Sequence, residues 1–226
     1  MIDTSTILPV FNNPDLLVTA LTHRSALNEH LSTSKESNER FEFLGDAVLE
    51  LCATNFLFKE LPEEQEGTLT SYRSALVKTT TLAEIAEEMG LSESLYMSKG
   101  EKRTNGHHNP SLLADTFEAL LGAIYLDQGY DAVFAFLNEK LFPRFEMIQK
   151  NQLHRDFKSS FQELVQAQGK PTPTYSVLAE KGPDHQKEFT VGVFIEQEKI
   201  AEASGASKQK AEEAAAKVAL EKLKGK

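Results

Sequence analysis

The 226-residue chain has little of several things. It has one cysteine, Cys52, so no disulfide can form within it. A lone cysteine in an apolar stretch reads as a reduced core thiol, which points to the cytoplasm. No apolar run approaches the roughly 18 residues of a membrane-spanning helix. No basic-then-apolar leader is evident, so neither a membrane span nor a signal peptide is expected. Internal repeats and low-complexity tracts are also missing, which argues against a solenoid. Positive charge is scarce, with 24 Lys and Arg against 34 Asp and Glu and a formal charge of −10. That balance argues at first against a nucleic-acid partner. The distribution changes the picture. Residues 1–150 hold 12 Lys and Arg against 23 Asp and Glu, a net of −11, whereas residues 151–226 hold 12 against 11, a net of +1. The acidic excess lies wholly in the first part, and a site built for divalent cations should be acidic before they bind.

What is present is concentrated in Asn38 to Glu50, where Glu39, Glu42 and Asp46 stand in a strongly apolar segment. Steps of three and four place them on one side of a helix, within about 60° of one another. Phe41, Phe43, Leu44, Val48, Leu51 and Cys52 cover the remaining directions. A helix apolar nearly all round is expected to be buried. Buried carboxylates are costly unless paired, protonated or bound to a metal, and no Lys or Arg lies within a turn on that face to pair them. A second segment repeats the arrangement. Asn109 followed by Pro110 opens a helix, Gly129 stops it, and Asp115 and Glu118 are the charged residues between Pro110 and Leu126. Two buried helices, each with carboxylates on one face, imply one shared site. Oxygen donors without His or Cys favour Mg²⁺ or Mn²⁺ over Zn²⁺. A carboxylate-held divalent ion is suited to activating water against a phosphodiester.

The rest of residues 1–150 reads as helices with short breaks: Pro14–Leu21, a polar loop to Asn38, the acidic helix over about 38–61, Thr68–Thr79, Thr81–Met89, a Gly-containing loop over Ser98–Asn109, and a last helix over about 130–149. No convincing strand is read there. A polar stretch follows, with a linker at 151–155. The period then changes. Asp156–Ala167 is helical with Phe157, Phe161, Leu164 and Val165 on one face. Tyr175, Val177 and Ala179 alternate. Gly182-Pro183-Asp184-His185 makes a turn. Phe189, Val191, Val193 and Ile195 form a half-buried strand. A third strand spans Lys199–Ala203, and an alanine-rich helix spans Ser207–Leu223. The expected fold is therefore an all-α N-terminal domain followed by a small α+β domain of order α-β-β-β-α, with boundaries 1–150 and 156–226. Ser207 is a fitting N-cap, which puts Lys208 and Lys210 in the first turn. There they oppose the helix dipole unless a phosphate docks.

The run Glu39 to Asp46, with Ala114-Asp115-Thr116-Phe117-Glu118-Ala119, closely resembles the paired motifs of bacterial ribonuclease III, with Phe41 where leucine is usual. The C-terminal pattern, with Pro173-Thr174-Tyr175, Gly182-Pro183-Asp184-His185 and Ser207-Lys208-Gln209-Lys210-Ala211-Glu212, resembles a double-stranded-RNA-binding domain. It has Ala203 where that domain often has glycine. The resemblance implies a Mg²⁺-dependent endoribonuclease, Mn²⁺ substituting, that cleaves double-stranded RNA to 5′-phosphate and 3′-hydroxyl ends with two-nucleotide 3′ overhangs, in rRNA-precursor and mRNA processing. It implies metal binding by Glu42, Asp46, Asp115 and Glu118, with Asp46 and Glu118 catalytic and Glu39 and Glu66 accessory. It implies RNA contacts from Gln162, Glu163, His185, Lys208 and Lys210, and a homodimer with Phe43 at its interface. His23, Arg24 and Ser25 resemble a family stretch without an assigned role. The alternative is a double-stranded-RNA-binding protein without catalysis, and the complete acidic set argues against it. A different metal phosphohydrolase would place His in the cluster.

Overall fold

Small polar caps, proline and glycine set the helix ends of this chain. The computed structural model describes residues 10–183 and 187–224. It divides into two units, Met1–His154 and Arg155–Lys226, each built around its own apolar core. The first unit is helical: α1 (Pro14–Ala20), α2 (Arg24–Asn28), α3 (Glu39–Glu60), α4 (Glu66–Leu76), α5 (Thr79–Glu88), α6 (Leu91–Ser94), α7 (Lys99–Arg103), a 3-10 turn (Gly106–His108), α8 (Pro110–Gln128), α9 (Tyr130–Lys140) and α10 (Arg144–Lys150). The second unit has the order α11 (Phe157–Ala167), β1 (Thr174–Lys181), β2 (Glu188–Ile195), β3 (Glu198–Gly205) and α12 (Lys208–Lys224), with the strands antiparallel in the order β1-β2-β3. The expected fold class is the one observed. Among the described residues, no helix is long and apolar enough to cross a membrane.

Helix α8 is the axis of the first unit. The Asn109 side chain accepts from the Ser111 amide, Pro110 stands in the first turn, and Gly129 closes the helix with φ 82°. Leu113, Phe117, Leu120, Leu121 and Ile124 are buried along it. Helix α3 packs against it most extensively, through Val48, Leu49, Cys52, Ala53 and Leu57. Their crossing needs two glycines. A Cβ on Gly45 would overlap the Glu118 carbonyl oxygen, and one on Gly122 would overlap that of Phe41. The two backbones therefore touch where side chains would otherwise hold them apart. Cys52 is fully buried near this seam, and burial pushes its thiol pKa up, against a hydrogen bond with Tyr130 that lowers it.

Four readings from sequence need correction. The expected helix over 130–149 is two helices. Leu141 closes α9, and Pro143 precedes α10, because proline offers no amide to continue the first ladder. The polar stretches before Asn38 and over 98–109 contain α2, α7 and the 3-10 turn, and α6 follows Gly90. These pieces are too short to show a helical period. The α2 start is set by the His23 side chain, which accepts from the Ser25 amide. Third, α3 is not buried all round: Phe43 is 82% exposed, Phe58 70% and Leu51 58%. Last, the alternation in β1 breaks. A register shift between Val177 and Ala179 leaves Val177 and Leu178 exposed, as a bulge does.

The glycine crossing makes a direct prediction. Gly45→Ala should lower the free energy of unfolding by about 3 kcal/mol, the upper end of ordinary overpacking, because both opposing groups are backbone. Gly67→Ala is the control. Nothing lies within 4 Å of a Cβ there, in the first turn of α4, so an alanine should be neutral or stabilising by up to about 1 kcal/mol. Urea denaturation of both variants checks this. Equal stabilities would refute the crossing argument.

Candidate active site

The closest approach of α3 and α8 sets five carboxylates on adjoining turns: Glu39, Glu42 and Asp46 from α3, and Asp115 and Glu118 from α8. Glu42, Asp115 and Glu118 each offer an oxygen within 4.8 Å of the others, and all three are half-buried. Asp46 is exposed and stands outside that triad, yet its charge acts on both Glu42 and Glu118. Glu39 lies at the rim. No cation within a turn pairs it, as expected, but a distant one does. Arg24 on α2 reaches Glu39 at 3.4 Å, and the Ser37 hydroxyl donates to it at 2.9 Å. Both partners of the ion pair are largely exposed, so it contributes little. Fifteen residues of sequence separate them, which is why helix periodicity could not find the pair.

A cleft of about 420 Å³ opens beside the triad, lined by His23, Arg24, Asn38, Glu39, Glu42, Leu112 and Asp115. His23, Arg24 and Asn38 are the residues that sequence reasoning left without a role. His23 is fixed by its neighbours. Its Nδ1 lies 2.8 Å from the Ser25 hydroxyl, and the Ser25 oxygen in turn accepts from the Ser98 amide at 3.0 Å. Asn38 is buried. Its amide donates to the Thr22 carbonyl at 2.8 Å, and its carbonyl accepts from the Phe41 and Glu42 amides. The Thr22-His23-Arg24-Ser25 stretch was visible in the sequence, but nothing local tied it to a helix beginning at residue 39.

The cluster is electrostatically loaded. Burial, then the charges of Asp46, Asp115, Glu42 and Glu50, pushes Glu118 up to about 8. Burial also raises Glu42, assisted by Asp115, Glu39 and Asp46. Asp115 is raised by burial, with His23 opposing. A crowded carboxyl that holds its proton at neutral pH, as Glu118 does, is a group short of a positive partner. An all-oxygen donor set of this spacing fits a hard divalent cation of the Mg²⁺ type.

The remaining expected residues fall elsewhere. Glu66 is in the first turn of α4, in a groove with Thr54, Leu57, Phe58, Leu69, Thr70 and Arg73, and is not part of the triad. Phe43 is exposed on α3, on the same face as Leu51 and Phe58. In the second unit, Gln162 and Glu163 lie on the exposed side of α11, opposite the buried Phe157, Phe161 and Val165. Ser207 caps α12 by accepting from the Lys210 amide at 3.2 Å, so Lys208 and Lys210 do occupy the first turn. Lys208 approaches Glu180 at 3.5 Å and sits over the Phe189 ring at 5.5 Å. His185 lies outside the described residues.

Comparison with known proteins supplies the context. The family model described as Ribonuclease-III-like matches residues 13–145, and that described as Double-stranded RNA binding motif matches residues 157–223. The chain is 47% identical over 214 residues to the Ribonuclease 3 of Geobacillus sp. (strain WCH70), covering 95% of this chain and 87% of that one. It is 44% identical over 212 residues to the Ribonuclease 3 of Bdellovibrio bacteriovorus, covering 93% and 90%. Among solved structures, a nuclease domain of ribonuclease III from Campylobacter jejuni matches with a TM-score of 0.58 and 34% identity, over 65% of this chain and 99% of that one. That work concerns flexibility in a region involved in dimer formation.

The raised acid yields a stability prediction for metal-free protein. An acid whose pKa rises on folding binds a proton between its ordinary value of 4.5 and about 8. Its contribution is therefore intact below pH 4.5 and is lost as pH climbs to about 8. In chelator, the melting temperature should fall across that window, and Glu118→Gln should flatten the fall. Thermal scans against pH check this. An unchanged slope in the variant would remove Glu118 as its source.

Proposed function

The chain belongs to the ribonuclease III family and is an endonuclease of double-stranded RNA; we propose that the carboxylates of α3 and α8 are its catalytic centre and that it works as a Mg²⁺-dependent homodimer, Mn²⁺ substituting. One observation carries this reading: two helices in backbone contact bring the oxygens of Glu42, Asp115 and Glu118 within 4.8 Å of one another. Glu42, Asp115 and Glu118 would hold the ion, with Asp46 as the fourth expected ligand at their edge. Once bound, Mg²⁺ supplies an activated water and neutralises charge on the phosphate. Glu118 gives up its proton as the site fills. Asp46, open to solvent at the edge of the cluster, orients the attacking water together with Glu118. Glu39 and Glu66 are accessory acidic positions.

The second unit supplies affinity for the duplex. Gln162 and Glu163 reach a minor groove through 2′-hydroxyls, His185 the next one, and Lys208 and Lys210 the phosphates between them. A helix start is suited to phosphate, because its free amides point outward there. The acidic first unit gains from this, since a net of −11 over residues 1–150 repels the RNA backbone before cations bind. The products carry 5′-phosphate and 3′-hydroxyl ends, staggered by two nucleotides when two copies combine. The cellular work is rRNA-precursor and mRNA processing in the cytoplasm, where a single reduced thiol persists.

The dimer rests on α3. Phe43, Leu51 and Phe58, all more than half exposed, form an apolar line on one helix face. A soluble monomer rarely leaves such a line uncovered.

Two experiments test this reading. Glu118→Ala and Asp46→Asn should each abolish cleavage of a long RNA duplex in Mg²⁺ by several orders of magnitude, while gel-shift affinity stays within a few-fold of the parent. Near-normal turnover in Glu118→Ala would sink the assignment. Separately, Phe43→Asp should shift the sedimentation of the intact chain from dimer to monomer at micromolar concentration and reduce cleavage with it. A parent chain that is monomeric and fully active would reject the dimer.

A further inference from the structure

Among the described residues, two groups of side chains have metal-ligand spacing, and only one is the carboxylate triad. The other is Glu93, His107 and His108, whose ligand atoms also lie within 4.8 Å of one another. We propose that these three residues bind a transition-metal dication of the zinc class, distinct from the ion of the catalytic cluster.

The donor chemistry separates the two sites. The catalytic group is all oxygen and suits Mg²⁺, whereas two imidazoles and a carboxylate are a borderline set suited to Zn²⁺. Three protein ligands leave one position for water. Ligand atoms on a tetrahedral Zn²⁺ lie roughly 3.4 Å apart, given bonds of about 2.0–2.1 Å. Glu93 is exposed and has room to swing in by that much, while His107 is half-buried.

The backbone holds both rings in place. Asn105 adopts a left-handed φ of 62°, and the 3-10 turn follows it. A Cβ on Gly106 would press on the Glu101 side chain at 2.7 Å and its carbonyl at 2.9 Å, so only glycine lets the turn sit this close to α7. One residue later Asn109 caps α8. The two imidazoles are adjacent, with ring centres 4.2 Å apart.

The rings themselves suggest a missing partner. Nδ1 of His107 is buried with no hydrogen-bond partner. A buried ring nitrogen in that state costs free energy, and a metal relieves it. Nδ1 of His108 lies 2.8 Å from the Glu87 carboxylate on α5. That leaves Nε2 of His108 for a metal, with Glu87 fixing the tautomer and raising the basicity of the ring. Carboxylate support of this kind accompanies most histidine ligands. An ion held here would tie the 3-10 turn to α6, directly before the helix that carries Asp115 and Glu118.

The test uses the full chain, stripped by chelator and kept in excess Mg²⁺, titrated with Co²⁺ and followed by visible absorption. The expected result is one equivalent with the intense bands of a low-coordinate nitrogen-and-oxygen site, bleached by Zn²⁺. The bands should persist in Glu118→Gln and vanish in His107→Gln and His108→Gln. Should His107→Gln fail to fold by circular dichroism, the exposed Glu93→Gln serves in its place and should weaken Co²⁺ binding at least tenfold. A second readout is trypsin cleavage at Lys102 and Arg103, both exposed on α7, which Zn²⁺ should slow several-fold in the parent but not in the His108 variant. No intense bands, bands unchanged by both His variants, or bands lost in Glu118→Gln would each overturn the proposal.

Discussion

Everything at the carboxylate cluster depends on Gly45 lying against the Glu118 backbone. Carboxylates within 4.8 Å of one another repel by roughly 3 kcal/mol per charged pair at an effective dielectric of about 20. Helices carrying them would separate unless something stronger held them. The opposing force is apolar: Leu49, Phe117, Leu120, Leu121 and Ile124 are essentially without solvent contact, and each such side chain contributes about 1.5–3 kcal/mol by burial. The glycines turn that packing into proximity. With any side chain at residue 45 or 122, the same core would form a looser crossing and the carboxylates would stand apart. The proton that Glu118 holds up to about pH 8 follows first from its burial and then from the neighbouring carboxylate charges.

Much of this was legible in the sequence, for physical reasons that differ from element to element. The span of α8 was readable because Asn109, Pro110 and Gly129 act through their own backbone geometry. The strand β2 was readable because the half-buried alternation of Phe189, Val191, Val193 and Ile195 has no competing period. The triad was readable because carboxylates at helical spacing share a face wherever the helix sits. Other features were not local. Gly45 and Gly122 sit inside helices, where an isolated glycine signals a close approach but does not say to what. Arg24 meets Glu39 only after α2 folds back. The exposure of Leu51 and Phe58 was invisible, because hydrophobicity alone does not separate a core residue from one awaiting a second surface; for Phe43 only the family resemblance implied an outward place. Pro143 was a legible break that a strong apolar pattern on both sides obscured.

The second unit solves a smaller packing problem with other means. Its core joins Phe157, Phe161 and Val165 of α11 to Val193, Ile195 and Ala201 of the sheet. Helix α12 contributes Ala215, Ala216 and Ala219. Alanines let that helix lie close to the strands, and Gly205 continues the same economy, since a Cβ there would meet the Ala211 amide at 2.6 Å. The start of α12 is thereby pinned to the end of β3. Lys208 shares its charge with Glu180 on β1, which tempers the conflict of a cation with the helix dipole.

The lone thiol of Cys52 has a use that follows from its place. It is sealed beside the α3–α8 seam, and its raised pKa keeps it in the unreactive thiol form. No other sulfhydryl competes with it. Alkylation of the folded chain must therefore wait for α3 to leave α8, which is the motion that dismantles the carboxylate cluster. The rate of thiol labelling becomes a clock for opening of the α3–α8 seam, readable by mass without engineering a second cysteine.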